Sequence, residues 1–96
     1  MSVYLIATIN INDRDTYARY EAGFMEIFSQ YNGTMLAVDD NARTMEGQWD
    51  YTRTVLVQFP SAAEADAWFH SEAYQDIARY RREASVGNIV MLNGLG

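Results

Sequence analysis

His70, the only histidine in the chain, follows Asp66 by one helical turn, and the two form the one acid–base pair on offer. Imidazole is the side chain whose ordinary pKa lies near neutrality, and a carboxylate beside it can orient it for proton transfer. The plainer reading is an exposed histidine beside the helix cap Ser71, because Trp68 and Phe69 take the buried positions. Tyr74, one turn inside that cap, can offer a phenol to a pocket. So can Tyr4, Tyr17, Tyr20 and Tyr80, although tyrosines at helical spacing are more often core residues with a polar tip in water. His70 and Tyr74 are the catalytic candidates.

Arg53 is the leading binding candidate. It opens a β-rich run, Thr54 to Phe59, and stands four residues after Trp49. A permanently charged fork beside an aromatic can hold a carboxylate. It can equally pair with Asp50 or Glu46 and pin its own loop. Trp49, Arg53, Gln58 and Thr8 form the expected ligand-binding set. Arg79, Arg81 and Arg82 read as a solvated face balanced by Asp76 and Glu83, although Tyr80 or Arg81 can also continue the inner face of that helix beyond Ile77 and Ala78. One histidine and no cysteine leave no ligand pair at metal spacing, so no metal site is expected, and no cofactor.

Composition narrows the chemistry further. All 7 positive charges are arginine, so Schiff-base and pyridoxal chemistry and any P-loop are excluded. A net charge of −6 supplies no basic stripe for a phosphate backbone, so nucleic acid is not an expected partner. Without cysteine there is neither disulfide nor thiol nucleophile. No apolar run approaches the ~20 residues of a membrane span, and no basic leader precedes the first strand. The expectation is a soluble, cytoplasmic protein without a membrane partner. Hydrophobic residues make up 49% of only 96, a surplus that points to an interface with a second copy.

The elements that must position these residues follow from periodicity. Val3–Ile11 is a strand with apolar residues at every odd position and a partly apolar even set, so both its faces are expected to be covered. Asn12 or Asp13 can cap a helix from about Arg14 to Tyr31, whose stripe runs Tyr17, Tyr20, Phe24, Ile27, Phe28 and Tyr31. Asn32-Gly33 is its expected terminator, with Gly33 left-handed. Strands follow at Thr34–Val38 and Thr52–Phe59, the second ended by Pro60. Ser61 with Glu64 predicts a capping box, and Ser71 re-caps a helix spanning roughly Ala62 to Glu83. Val86–Leu92 is the last strand. The order β-α-β-β-α-β predicts a single α+β domain over 1–96, with a four-stranded antiparallel sheet and both helices on one face. Tyr4, Ile6, Thr8, Thr54, Leu56 and Gln58 then face away from the helices. That side is too apolar for water, and two copies packed sheet to sheet would enclose a semi-polar space with Arg53 at its rim.

R-T-V-L-V-Q-F-P-S (53–61) and A-W-F-H-S-E-A-Y (67–74) resemble the DUF1330 family. So do Y-L-I in the first strand, D-x-x-x-Y-x-x-Y over Asp13–Tyr20, and G-x-W over Gly47–Trp49. The family often carries glutamate before Phe-Pro-Ser; this chain has Gln58, so no carboxylate role carries over. The resemblance implies a ferredoxin-like fold that pairs as a dimeric α/β barrel. It leaves two functions open. One is a homodimeric module holding a small, partly apolar molecule, which Arg53 allows to be anionic, in the inter-sheet cavity. The other is a small cofactor-independent enzyme acting on such a molecule, since similar barrel families include monooxygenases, isomerases and lyases. Haem on His70 is suggested only by analogy with other barrel families.

Overall fold

A computed structural model describes residues 1–96. Strand β1 (Val3–Ile11) leads through Asp13 into helix α1 (Arg14–Phe28), and the Asp13 carboxylate accepts from the Thr16 N–H at 3.1 Å. α1 ends three residues before Tyr31, the last residue of its apolar stripe. The cause is local: the Ser29 hydroxyl and the Gln30 amide both donate to the Glu26 carbonyl. The next N–H groups bond only three residues back, which tightens and turns the chain. Gly33 is not left-handed as expected; the one positive φ belongs to Gly47, at 85°. Gly33 is needed for clearance instead. A Cβ there would lie 2.6 Å from the Phe28 ring and 2.7 Å from that of Phe59.

Strands β2 (Thr34–Asp39) and β3 (Arg53–Phe59) follow, and Pro60 stops the latter. Ser61 caps helix α2 (Ala62–Phe69) by accepting from the Glu64 N–H at 3.2 Å. The expected capping box does not close in full. The Glu64 carboxylate accepts from the Ser61 hydroxyl and from the Asn32 side-chain amide rather than from the Ser61 backbone. The long second helix is two helices. Ser71 caps α3 (Glu72–Ala84) by accepting from the Tyr74 N–H, while its hydroxyl donates 2.8 Å to the Trp68 carbonyl. β4 (Ser85–Asn93) starts with no loop between it and α3.

The sheet is antiparallel throughout, in the order β2-β3-β1-β4. Alternation sorts its residues into two faces. Val3, Leu5, Ile9, Val57 and Phe59 are buried beneath the helices with Tyr17, Tyr20, Phe28, Ala65, Trp68, Tyr74 and Ala78. The opposite face carries three cross-strand rows: Thr34–Gln58–Tyr4–Leu92, Ala37–Leu56–Ile6–Val90 and Asp39–Thr54–Thr8–Asn88. The middle row is apolar and the outer two are mixed or polar. Val90 and Leu92 remain about half exposed there. This is the ferredoxin-like arrangement, with its second crossover helix divided in two. No helix is long and apolar enough to cross a membrane.

Candidate functional site

A cavity of about 310 Å³ lies between the helices and the sheet, on the side away from the half-exposed rows. Its floor is Leu5, Ala7 and Ile9 of β1 with Val55 and Val57 of β3. Ala7 sits between Val55 and Ile89 in the register, and its methyl group leaves the space its larger neighbours would fill. The roof comes from α1 through Tyr17, Tyr20 and Phe24, from α2 through Trp68, and from α3 through Tyr74 and Arg81. The lining residues Met25 and Val38 are more than half exposed and Glu21 about half, so the mouth opens at the flank between α1 and β2.

Ser71 sets two of the roof groups at once, since its hydroxyl bridges the Trp68 carbonyl and the Tyr74 N–H. The Tyr74 ring lies 4.3 Å from that of Trp68, centroid to centroid, and its hydroxyl is 2.9 Å from the Tyr20 hydroxyl. Burial holds the Tyr20 phenol well above its ordinary pKa, with the adjoining Tyr74 hydroxyl acting in the same direction and Arg81 opposing both. The Tyr20 phenol therefore stays protonated near neutrality. One hydroxyl donates to the other, which leaves one O–H free to donate elsewhere.

Two further donors in the cavity wall have no partner. The Trp68 Nε1–H and the Arg81 Nε–H are both buried and make no hydrogen bond. Arg81 also has no ion pair; its guanidinium carbon lies 5.8 Å from the Tyr20 ring centre. Buried donors are nearly always satisfied, and leaving one unpaired costs about 1–3 kcal/mol. Neither nitrogen has surface of its own on the cavity, so the charge a guest there would meet is that of Arg81 as a whole, which lines the cavity and has no ion pair.

The residues singled out from sequence are divided among three places. Tyr74 lines the cavity and is 1% exposed. Arg53 lines it too, because it shares the parity of Val55 and Val57 and so faces the helices rather than the inter-sheet side. Its fork is already occupied: Nε and Nη2 donate to Asp40 at 2.6 and 3.0 Å, Nη1 donates to Glu21 at 2.9 Å, and the Tyr17 ring lies beneath it. The partners are Asp40 and Glu21, not Asp50 or Glu46. Thr8, Gln58 and Trp49 belong to the open face, where the Trp49 indole N–H donates to Thr54 Oγ1 at 3.0 Å. His70 caps the end of α2 in water, its side chain 70% exposed and 3.9 Å from Asp66. It has no part in the cavity.

Arg81 was the residue that composition concealed. It does not belong to the solvated arginine face, where Arg79 meets Asp76 and Arg82 meets Gln75. The signal was its spacing: Tyr74, Ala78 and Arg81 fall four and then three residues apart, on one helical stripe with two buried residues. Trp68 reads as packing and Tyr20 as one phenol among several; both line the cavity.

The Arg53 network yields a prediction about acid stability. Hydrogen bonds from Arg53 are the main cause holding the Asp40 carboxyl below its ordinary pKa. A depressed carboxylate contributes stability in full above its unfolded value and loses it as pH falls through the folded one. Arg53→Ala should lower stability at pH 7 by roughly 1–2 kcal/mol, as two half-exposed pairs are lost. It should also flatten the fall in melting temperature below about pH 4, where unfolded aspartate titrates. Thermal melts from pH 7 to 2.5 would check both; parallel curves for the two proteins would contradict the assignment.

Solved structures place this architecture among known folds. A protein of unknown function from Rhodopseudomonas palustris superposes with a TM-score of 0.80 at 15% identity, over 99% of this chain and 83% of that one. A dimeric ferredoxin-like protein of unknown function from Jannaschia gives 0.75 at 14%, over 98% and 100%. SnoaB, a cofactor-independent oxygenase from Streptomyces nogalater, gives 0.67 at 10%, over 99% and 94%. At such identities the likeness concerns the fold. A search of curated proteins finds no match. The family comparison reaches further, since the model of the domain of unknown function DUF1330 matches residues 2–95, nearly the whole chain. This protein belongs to the DUF1330 family.

Proposed function

We propose that this protein is a homodimeric binding module whose helix–sheet cavity holds a small, partly apolar, anionic molecule. The observation that carries this reading is Arg81, a guanidinium without an ion pair in the lining of a largely apolar cavity. Apolar lining supplies the driving force and a few placed donors the orientation, the usual division of labour in a ligand pocket. Arg53, its fork taken by Asp40 and Glu21, closes the rim and leaves the ligand's charge to Arg81. Native mass spectrometry of freshly purified protein tests the reading. A mass excess that vanishes on denaturation, and is absent from Arg81→Gln, supports it; an excess retained by Arg81→Gln would remove the cavity from consideration.

A second reading is favoured by the Tyr20–Tyr74 hydroxyl pair. Phenol hydroxyls beside Arg81 can donate to an enolate-type oxyanion as it forms, which is the chief service an enzyme without a cofactor can give. Similarity of fold to a cofactor-independent oxygenase is compatible with this.

The homodimer rests on the open face and on the dimeric neighbour from Jannaschia. Four strands about 4.8 Å apart, each spanning up to roughly 30 Å, present about 600 Å² per copy. Pairing two such faces buries on the order of 1,200 Å², within the range of specific interfaces. Ile6→Glu would set a carboxylate in the apolar middle row, between Leu56 and Val90. Sedimentation or light scattering is expected to show the wild type as a dimer at micromolar concentration and Ile6→Glu as a folded monomer. A monomeric wild type would overturn the assembly.

A further inference from the structure

The cavity also restricts what kind of anion it can take. We propose that its ligand is a planar, two-ring aromatic monoanion, charged on an oxygen at one end and apolar along the rest. This rests on the reading above that the cavity is a ligand site.

Size comes first. A cavity of about 150 Å³ holds one benzene ring. The present one, at about 310 Å³, has twice that room. A single ring would leave half of it empty, and a third ring would project through the mouth into water. Shape comes next. The floor is the flat surface of the sheet, and the roof is built from the rings of Tyr17, Tyr20, Phe24, Trp68 and Tyr74. A slot walled by rings favours a flat aromatic guest over a branched aliphatic one of equal volume, because rings gain from stacked and edge-on contacts.

Charge supplies the remaining terms. The polar groups of the inner lining that lack partners are donors: the Arg81 guanidinium, which has no ion pair, and the one phenolic O–H left over from the Tyr20–Tyr74 pair. A neutral hydrocarbon would seal the guanidinium in a dry wall unpaired, and an ammonium ion would meet Arg81 with like charge. An oxygen anion satisfies them. A second negative charge has no place to go. At the mouth Arg53 is outnumbered by Glu21 and Asp40, so that end carries one net negative charge and repels another. The ligand therefore enters with its charge leading and keeps its apolar end toward the mouth.

Carboxylates and enolates share this chemistry, and the test separates them. Calorimetric titration on the purified full chain would use 2-naphthoate and 2-hydroxy-1,4-naphthoquinone, which is an enolate at neutral pH. The comparison probes are benzoate, 2-naphthamide and naphthalene-2,6-dicarboxylate. At least one of the two bicyclic monoanions is expected to bind tenfold or more tightly than each comparison probe, and the tighter one identifies the oxygen source. Arg81→Gln should reduce the preference for 2-naphthoate over 2-naphthamide at least tenfold. A ratio within one variant is insensitive to a general loss of folded protein. Ala7→Leu, which fills the floor, should abolish binding of both monoanions. Equal or tighter binding of benzoate or the dicarboxylate overturns the ligand class, as does a preference unchanged in Arg81→Gln. Binding unchanged in Ala7→Leu places the site elsewhere and overturns it too. If no probe of any size or charge binds, the cavity is not a ligand site and both readings fall together.

Discussion

Alanine at Trp68 is expected to cost about 3–5 kcal/mol of folding stability, the range for deleting a buried large aromatic. The indole is 4% exposed and lies against the rings of Phe24, Phe28, Phe59, Phe69 and Tyr74. It joins α1, α2, α3 and β3 through one side chain, so the hole left by alanine has many walls and no easy collapse. Phenylalanine at the same position separates packing from chemistry. It keeps an aromatic ring and removes the unpartnered Nε1–H. Urea denaturation should show Trp68→Phe losing well under half of what Trp68→Ala loses. Equal losses of stability would mean that the N–H, and not the packing of the ring, matters to folding.

Gly87→Ala should be of similar severity for a different reason. Gly87 faces Ile9 across the β1–β4 ladder, and a Cβ there would meet the Thr8 carbonyl oxygen at 2.3 Å and Ile9 Cα at 3.0 Å. Both are backbone atoms in the centre of the sheet. No rotamer change relieves the clash; the strands must part, at an expected cost of about 3 kcal/mol or more. Hydrogen exchange should show the loss first in the amides that join β1 to β4. Gly47→Ala provides the contrast. Its φ of 85° strains any other residue, yet nothing lies within 4 Å, so the expected cost is only about 1–2 kcal/mol. Comparable destabilisation by the two substitutions would show that close approach at Gly87 is not what matters.

The architecture was legible because each of its rules is local. Odd-even alternation in Val3–Ile11, the Pro60 stop and the Ser61 and Ser71 caps each name a boundary without knowledge of the rest. Ends governed by side-chain competition were less legible. Glu26 attracts both Ser29 and Gln30, and that ended α1 early against its own apolar stripe. Gly33 shows the same limit, since its need arises from Phe59, far away in sequence. The site was legible only in part. Tyr74 and Arg53, both singled out, line the cavity, but Arg53 attracts notice by its charge and proves to be satisfied. Arg81 stayed ambiguous because an arginine among arginines looks solvated, while its phase relative to Tyr74 and Ala78 puts it on the inner face. An orphan donor is a property of three-dimensional neighbours, and no pattern in a linear chain records it.

The sheet is a partition. On β1 and β3 the residues that floor the cavity alternate with those of the face proposed to meet a second copy, so Ala7 lies between Ile6 and Thr8, and Val55 between Thr54 and Leu56. In a face-to-face pair the two cavities lie on the outer sides, back to back across two sheets whose mid-planes are about 10 Å apart. Each mouth opens at its own flank, clear of the partner. Such a particle fills its two sites one by one and without mutual preference: two molecules per dimer, a binding curve with a Hill slope of one, and the same intrinsic affinity in a monomer freed by Ile6→Glu.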